Sequence, residues 1–158
     1  IAHQGRLSPH NHLMVLHVRE LFFTADGWPV ASPQRFAGNE KRKVDREMVT
    51  GNWELIRIME PKYERQLEAG QIMWGEGSLK EEEWNYSFLL RLNDDGSTSD
   101  NGSWSLNEKN QSVTLKIGQE TVRDLFVFPG HDWENQTRTI LLTGLDDRGR
   151  SVWGKRIE

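Results

Sequence analysis

Cysteine is absent from this chain, which at once excludes disulfides, cysteine-ligated zinc and thiol nucleophiles. Export stays open, because many exported bacterial enzymes also lack cysteine. No apolar run approaches the roughly 20 residues of a membrane-spanning helix, and no signal peptide opens the sequence. Clustered basic charge is missing too. The net charge is -4 and the pI near 5.8, and the longest basic run, Lys41-Arg42-Lys43, is flanked by Glu40, Asp45 and Glu47. A nucleic-acid partner would demand the opposite. There is no internal repeat, no serine-centred nucleophile elbow and no glycine-rich phosphate loop. Apolar residues make up 35% and the mean hydropathy is -0.72, so the core is modest and rests on large side chains.

What is present is tryptophan and short strands. Seven Trp among 158 residues suit a compact β core, since each ring buries much area. Such a length suits one domain plus an extension. The stretch from Leu13 to Pro33 is the most apolar, with Thr24-Ala25-Asp26-Gly27 as a tight turn between Leu21-Phe22-Phe23 and Trp28-Pro29-Val30. Asp-Gly between apolar runs predicts a β-hairpin, because Gly accepts positive φ and Asp bonds the nearby backbone. A lone hairpin this apolar is not stable in water, so it must pack on the chain or on strands outside it. Ile1 is neither a start methionine nor a tag, which points to a mature product or an excised piece.

Residues 36–48 are charged and aperiodic and read as a linker between an N-terminal extension, 1–35, and a β domain, 49–158. Within that domain, strands are expected at 52–58, 72–74, 85–92, 102–106, 113–117, 122–128, 139–143 and 151–157, with a helical turn or two at 61–69. Turns fall at Asn93 to Gly96, Asn107 to Asn110, Gly118-Gln119 and Asp146 to Gly149. About eight antiparallel strands in meander order predict an all-β fold, a small up-and-down barrel. If Trp53, Trp104 and Trp153 fill it, no internal pocket for a small apolar ligand remains.

The candidate chemistry is sparse. Asp94-Asp95 and Asp146-Asp147 precede Gly in hairpin turns, where backbone reasons alone favour Asp. Glu81-Glu82-Glu83 reads as a solubilising loop. No catalytic dyad stands out. His3, His10, His12 and His17 cluster early without any zinc spacing, and histidine on a strand is more often simply hydrogen-bonded. Trp133, in Asp132-Trp133-Glu134-Asn135, could stack a sugar ring or fold back over a barrel end. The sequons at Asn85, Asn101, Asn110 and Asn135 are coincidences of a turn-rich composition.

Several motifs together carry a family resemblance. His3-Gln4-Gly5-Arg6, the run Leu13 to Phe23, and Asp26-Gly27-Trp28-Pro29-Val30-Ala31-Ser32-Pro33 resemble the end of the catalytic domain of family 43 endo-1,5-α-L-arabinanases. Gly51-Asn52-Trp53-Glu54, Asp132 to Asn135, Thr143-Gly144-Leu145 and Val152-Trp153-Gly154-Lys155 are similar to that group's C-terminal accessory barrel. The resemblance implies a secreted, arabinan-hydrolysing inverting enzyme, a five-bladed β-propeller followed by a barrel. Residues 1 to about 35 would then be the propeller's last strands, with the upstream propeller segment as their partner. The catalytic carboxylates, spaced roughly 6.5–9.5 Å apart in inverting enzymes, would lie upstream, leaving no catalytic residue in this chain. His3 matches a histidine that holds a water-coordinated calcium in that group, which makes calcium the expected cofactor. The alternative is a stand-alone arabinan-binding module gripping through Trp133 or Trp74. No membrane or nucleic-acid partner is expected.

Overall fold

The computed structural model describes residues 2–8, 11–38, 42–58, 87–118 and 120–157. The expected helical turns at 61–69, the strand at 72–74, Trp74 and the Glu81-Glu82-Glu83 loop lie outside these residues. Four short strands come first. β1 (Ala2–Ser8) pairs with β2 (Asn11–Leu16), and β3 (Leu21–Phe23) with β4 (Pro29–Ala31), as two separate antiparallel hairpins. A single turn of helix, α1 (Arg46–Val49), leads into β5 (Gly51–Arg57). Then follow β6 (Ser87–Leu92), β7 (Ser103–Asn107), β8 (Ser112–Ile117), β9 (Glu120–Asp132), β10 (Thr137–Leu145) and β11 (Ser151–Ile157).

These last seven form one antiparallel sheet in the order β6-β5-β11-β10-β9-β8-β7. The meander is complete except at one seam. With every neighbour antiparallel, the edge strands β6 and β7 run the same way, so they cannot pair antiparallel with each other. Two residues fill the gap. Thr98 bridges Leu92 of β6 and Ser97 bridges Ser103 of β7, both antiparallel. Ser97-Thr98 thus occupies the eighth position that antiparallel closure requires, and the curled sheet is an all-β, barrel-like fold.

Alternation sends one set of side chains inward. Trp53, Leu55, Leu90, Leu92, Trp104, Val113, Leu115, Val122, Leu125, Val127, Ile140, Leu142 and Val152 form the core. The indole N–H groups of Trp53 and Trp104 are not wasted by burial: they donate to the carbonyls of Val49 and Asn93, both at 2.7 Å. The interior is filled by side chains rather than open. Trp153 is not among them. It follows inward-facing Val152 on β11 and therefore stands on the outer wall, with the Arg19 guanidinium 5.7 Å from its ring centre.

The end of the stretch read as a linker does more than connect. Asp45 caps α1 by accepting from the Met48 N–H at 2.9 Å. Val44 and Val49 enter the core, and the Gln111 amide clamps Val44 through both its N–H (2.6 Å) and its carbonyl (3.1 Å). One bulge breaks the period of β9. Val113 faces Leu125 while Leu115 faces Val122, so Arg123 and Asp124 together oppose the single Thr114, one residue too many, and Asp124 takes φ +54°.

The β3–β4 hairpin forms at the expected turn, with Gly27 at φ +88° and its N–H donating to the Thr24 carbonyl at 2.9 Å. It lies on the outside of the barrel. Phe22 packs on Phe126 and Phe128 of β9 at centroid distances of 5.0 and 4.6 Å, and the Thr143 hydroxyl of β10 donates to the Ala31 carbonyl at 2.7 Å. Val30 is buried there. The opposite face is bare: Leu21 and Phe23 are 54% and 61% exposed, and Trp28, at the turn just before β4, is 64% exposed.

The seam offers a test. A Cβ added at Gly102 would lie 1.9 Å from the Lys116 backbone oxygen and 2.7 Å from the Thr98 hydroxyl. Gly102→Ala should therefore destabilise by about 1–3 kcal/mol, the usual cost of overpacking, and lower the urea midpoint. An unchanged midpoint would mean that the seam is not fixed.

Candidate functional site

The outer wall of β5 and β11, together with the β9–β10 turn, holds the most concentrated chemistry of the described residues. Because Gly154 faces inward, Lys155 faces out, directly opposite Glu54 in the β5–β11 register. Its ammonium lies 3.3 Å from Glu54, 3.1 Å from Asp132 Oδ2 and in contact with Glu134. Asp132 ends β9 and organises the turn after it. Its Oδ1 accepts from the backbone N–H groups of Glu134 and Asn135 at 3.0 and 3.3 Å, and its Oδ2 from the Asn135 amide at 2.7 Å.

Burial pushes the Asp132 carboxyl up, yet the Asn135 amide, the Lys155 ammonium and two backbone N–H groups together hold it below the usual carboxylate range. Lys155 behaves in mirror image. Burial pushes it down, and Glu134, Asp132 and Glu54 overcome this and raise it. A glycosidic general acid needs the reverse, a carboxyl pKa raised towards neutrality. Three carboxylates sharing one lysine are a cross-strand brace, not an acid–base pair.

A second brace anchors the β10–β11 turn. Asp146 accepts from the backbone N–H groups of Arg148 and Arg150, both at 2.9 Å, and from Arg150 Nε at 2.6 Å. Arg57 reaches Glu120 at 2.5 Å and lies 3.6 Å from Asp146. The turn role expected for Asp146 is thus joined by a charge role that spacing alone does not reveal. Asp95 keeps the plain turn role, accepting from Ser97 N–H at 2.8 Å.

Trp133 sits at the tip of the β9–β10 turn. Its indole N–H donates to the Arg35 carbonyl at 3.0 Å, the Arg35 guanidinium covers one ring face at 3.9 Å, and His131 meets it edge-on at 4.7 Å. One face is therefore taken by the chain itself. His3 pairs with Val15 across the β1–β2 hairpin, and His12 with Arg6. Among the described residues, no three His, Asp or Glu side chains converge as a metal site. Calcium prefers six to eight oxygens, and no such set is supplied here; the described residues do not form a calcium site by themselves.

Two hollows flank the turn. One, of about 280 Å³, is walled by Pro33, Gln34, Glu54, Glu134, Trp153 and Lys155 among others. The other, about 770 Å³, opens between Ala37, Gly38, Arg42 and Met48 on one side and the end of β9, the start of β10 and the end of β11 on the other.

Residues 33–154 match the family model of the GH43_C C-terminal lipocalin-like domain. The extracellular endo-α-(1→5)-L-arabinanase of Thermotoga petrophila is 28% identical over 149 residues, covering 90% of this chain and 27% of that protein. The extracellular endo-α-(1→5)-L-arabinanase 2 of Bacillus subtilis is 23% identical over 143 residues, covering 89% and 26%. The crystal structure of the Thermotoga petrophila endo-1,5-α-L-arabinanase superposes with a TM-score of 0.68 at 25% identity, over 97% of this chain and 31% of that one. The family 43 glycoside hydrolase YxiA of Bacillus licheniformis shares the fold, with a TM-score of 0.67 at 24% identity, over 94% and 29%. The chain thus spans about a quarter of the length of the curated relatives it matches.

The lysine brace predicts a pH signature. Groups with lowered folded pKa, here Asp132 and Asp146, contribute stability in full above the unfolded value of about 4, and it is lost as pH falls through the folded value. Lys155→Met should cost about 3–5 kcal/mol at pH 7, since it strands buried Asp132. The gap to wild type should narrow below about pH 4 as that carboxylate protonates. Chemical denaturation at pH 7 and pH 3 measures both, and a gap independent of pH would contradict the brace.

Proposed function

The chain belongs to the GH43_C family of C-terminal lipocalin-like domains, and on that premise we propose that it is the C-terminal part of a larger endo-1,5-α-L-arabinanase. Its barrel supports the enzyme and does not cut. The observation that carries this is the β3–β4 hairpin. One face is docked on the barrel through Phe22 and Val30, the other presents Leu21 and Phe23 to solvent, and Trp28 at the turn end is exposed as well. A two-stranded sheet with a bare apolar face is marginal in water, and in this reading it completes its packing against the upstream catalytic propeller. Residues 1 to about 35 are the last strands of that propeller, 36–48 the link, and 49–158 the accessory barrel.

The relatives' names support arabinan as the substrate and secretion as the destination. Among the described residues the close carboxylates are tied up by Lys155 in one brace and by Arg57 and Arg150 in the other, which fits catalytic carboxylates lying in the part of the relatives that this chain does not span. In the inverting reaction those two groups flank the glycosidic bond with a water between them. His3 would add a single imidazole to a calcium site completed by waters and residues outside the chain. The alternative, a free-standing arabinan-binding module, finds less support, because Arg35 already occupies one face of Trp133.

Two experiments follow. The chain alone should leave arabinan uncut, whereas the longer protein should cleave it, and His3→Ala there should lower both cleavage and calcium binding at least tenfold. Wild-type values in that variant would clear His3. Separately, the triple change Leu21→Ser, Phe23→Ser and Trp28→Ser should leave the isolated barrel's unfolding midpoint nearly unchanged, yet weaken its association with a separately expressed upstream fragment by tenfold or more. Undiminished association would remove the hairpin from the interface.

A further inference from the structure

The larger hollow, about 770 Å³, falls within the range of built ligand sites. Its walls carry Arg42, Arg138 and Arg156, together with His131. Among the described residues none of these three arginines is in an ion pair. Arg156 Nε donates to the Thr50 carbonyl at 3.0 Å, while Arg42 and Arg138 are exposed. The one carboxylate on the wall, Asp132, is already spent on Lys155, Asn135 and two backbone N–H groups. Three guanidiniums with no carboxylate partner among the described residues line one cleft of a protein whose net charge is -4.

Arabinan is neutral and gives these charges no work to do. Guanidinium forks match carboxylates two bonds at a time. The rest of the wall is mixed. The Thr139 hydroxyl donates to the Arg156 carbonyl, and beside it lie the apolar Met48, Pro129 and Ile157, a surface on which the apolar side of a sugar ring can rest. We propose that this cleft binds a uronate-bearing polysaccharide, holding the enzyme on an acidic glycan while the catalytic part cuts neutral arabinan. The proposal rests on the arabinanase reading only for that second clause. A polyphosphate backbone is the poorer match, since nucleic-acid binding calls for a longer stripe of basic charge than three arginines in one cleft supply.

Affinity electrophoresis of the whole 158-residue chain tests this, in gels containing polygalacturonate, neutral debranched arabinan or duplex DNA. The expected result is retardation by polygalacturonate alone, weakened at least fivefold in the double variant Arg42→Gln, Arg138→Gln. Both side chains are exposed, so an unchanged unfolding midpoint should accompany the loss. No retardation, equal retardation of variant and wild type, or stronger retardation by DNA would each overturn the proposal. Retardation by polygalacturonate from a longer protein that fails to cleave arabinan would uphold the cleft and remove the arabinanase reading instead.

Discussion

Strand β10 is buried on both faces, and the molecule's outer architecture depends on that. Ile140 and Leu142 point into the barrel, while Leu141 and Thr143 on the other side are equally hidden, at 1% and 0% exposure. A barrel strand in water normally alternates between apolar and polar. Here the outer face needs a cover, and the β3–β4 hairpin supplies it through Val30 and the Ala31 carbonyl, with Phe22 reaching the neighbouring β9. The hairpin is therefore not a loose tail. It is one layer of a wall whose other layer is the barrel, and its own far side is left apolar.

Charge organises what the hairpin does not cover. Lys155 and its three carboxylates tie β5, β11 and the β9–β10 turn together, and Asp146 with Arg57 and Arg150 fixes the β10–β11 turn beyond the other end of β11. In each cluster cations and carboxylates are in direct contact. The arginines of the large cleft have no carboxylate partner among the described residues, which sets that cleft apart from the braces on either side of it.

Much of the fold was legible because it follows from period two and from turn chemistry. Val113, Leu115 and Ile117 alternate and form β8; Asp-Gly marks the hairpin; residues 139–143 read as a strand, though its burial on both faces emerges only from the structure. The eighth barrel position was harder to assign, since two residues, Ser97 and Thr98, carry no periodicity. Val44 enters the core from the 36–48 stretch that reads as charged, beside Val49 at its boundary, because one helical turn is too short to show a stripe. By sequence Trp153 is, with Trp53 and Trp104, a ring that could fill the barrel, whereas its register beside Val152 sends it out. The Lys155 brace joins residues about twenty and a hundred positions apart, and only the register of β11 against β5 could have suggested it, by setting Lys155 opposite Glu54.

The account stands on the bare side of the hairpin being an interface. The most direct measurement is 19F NMR of 5-fluorotryptophan-labelled protein, with the Trp28 resonance assigned from a Trp28→Phe variant and its solvent isotope shift read in H2O and D2O. Trp28 should show the full shift in this chain and lose most of it in the longer protein that contains the upstream segment. Equal shifts in the two would contradict the account.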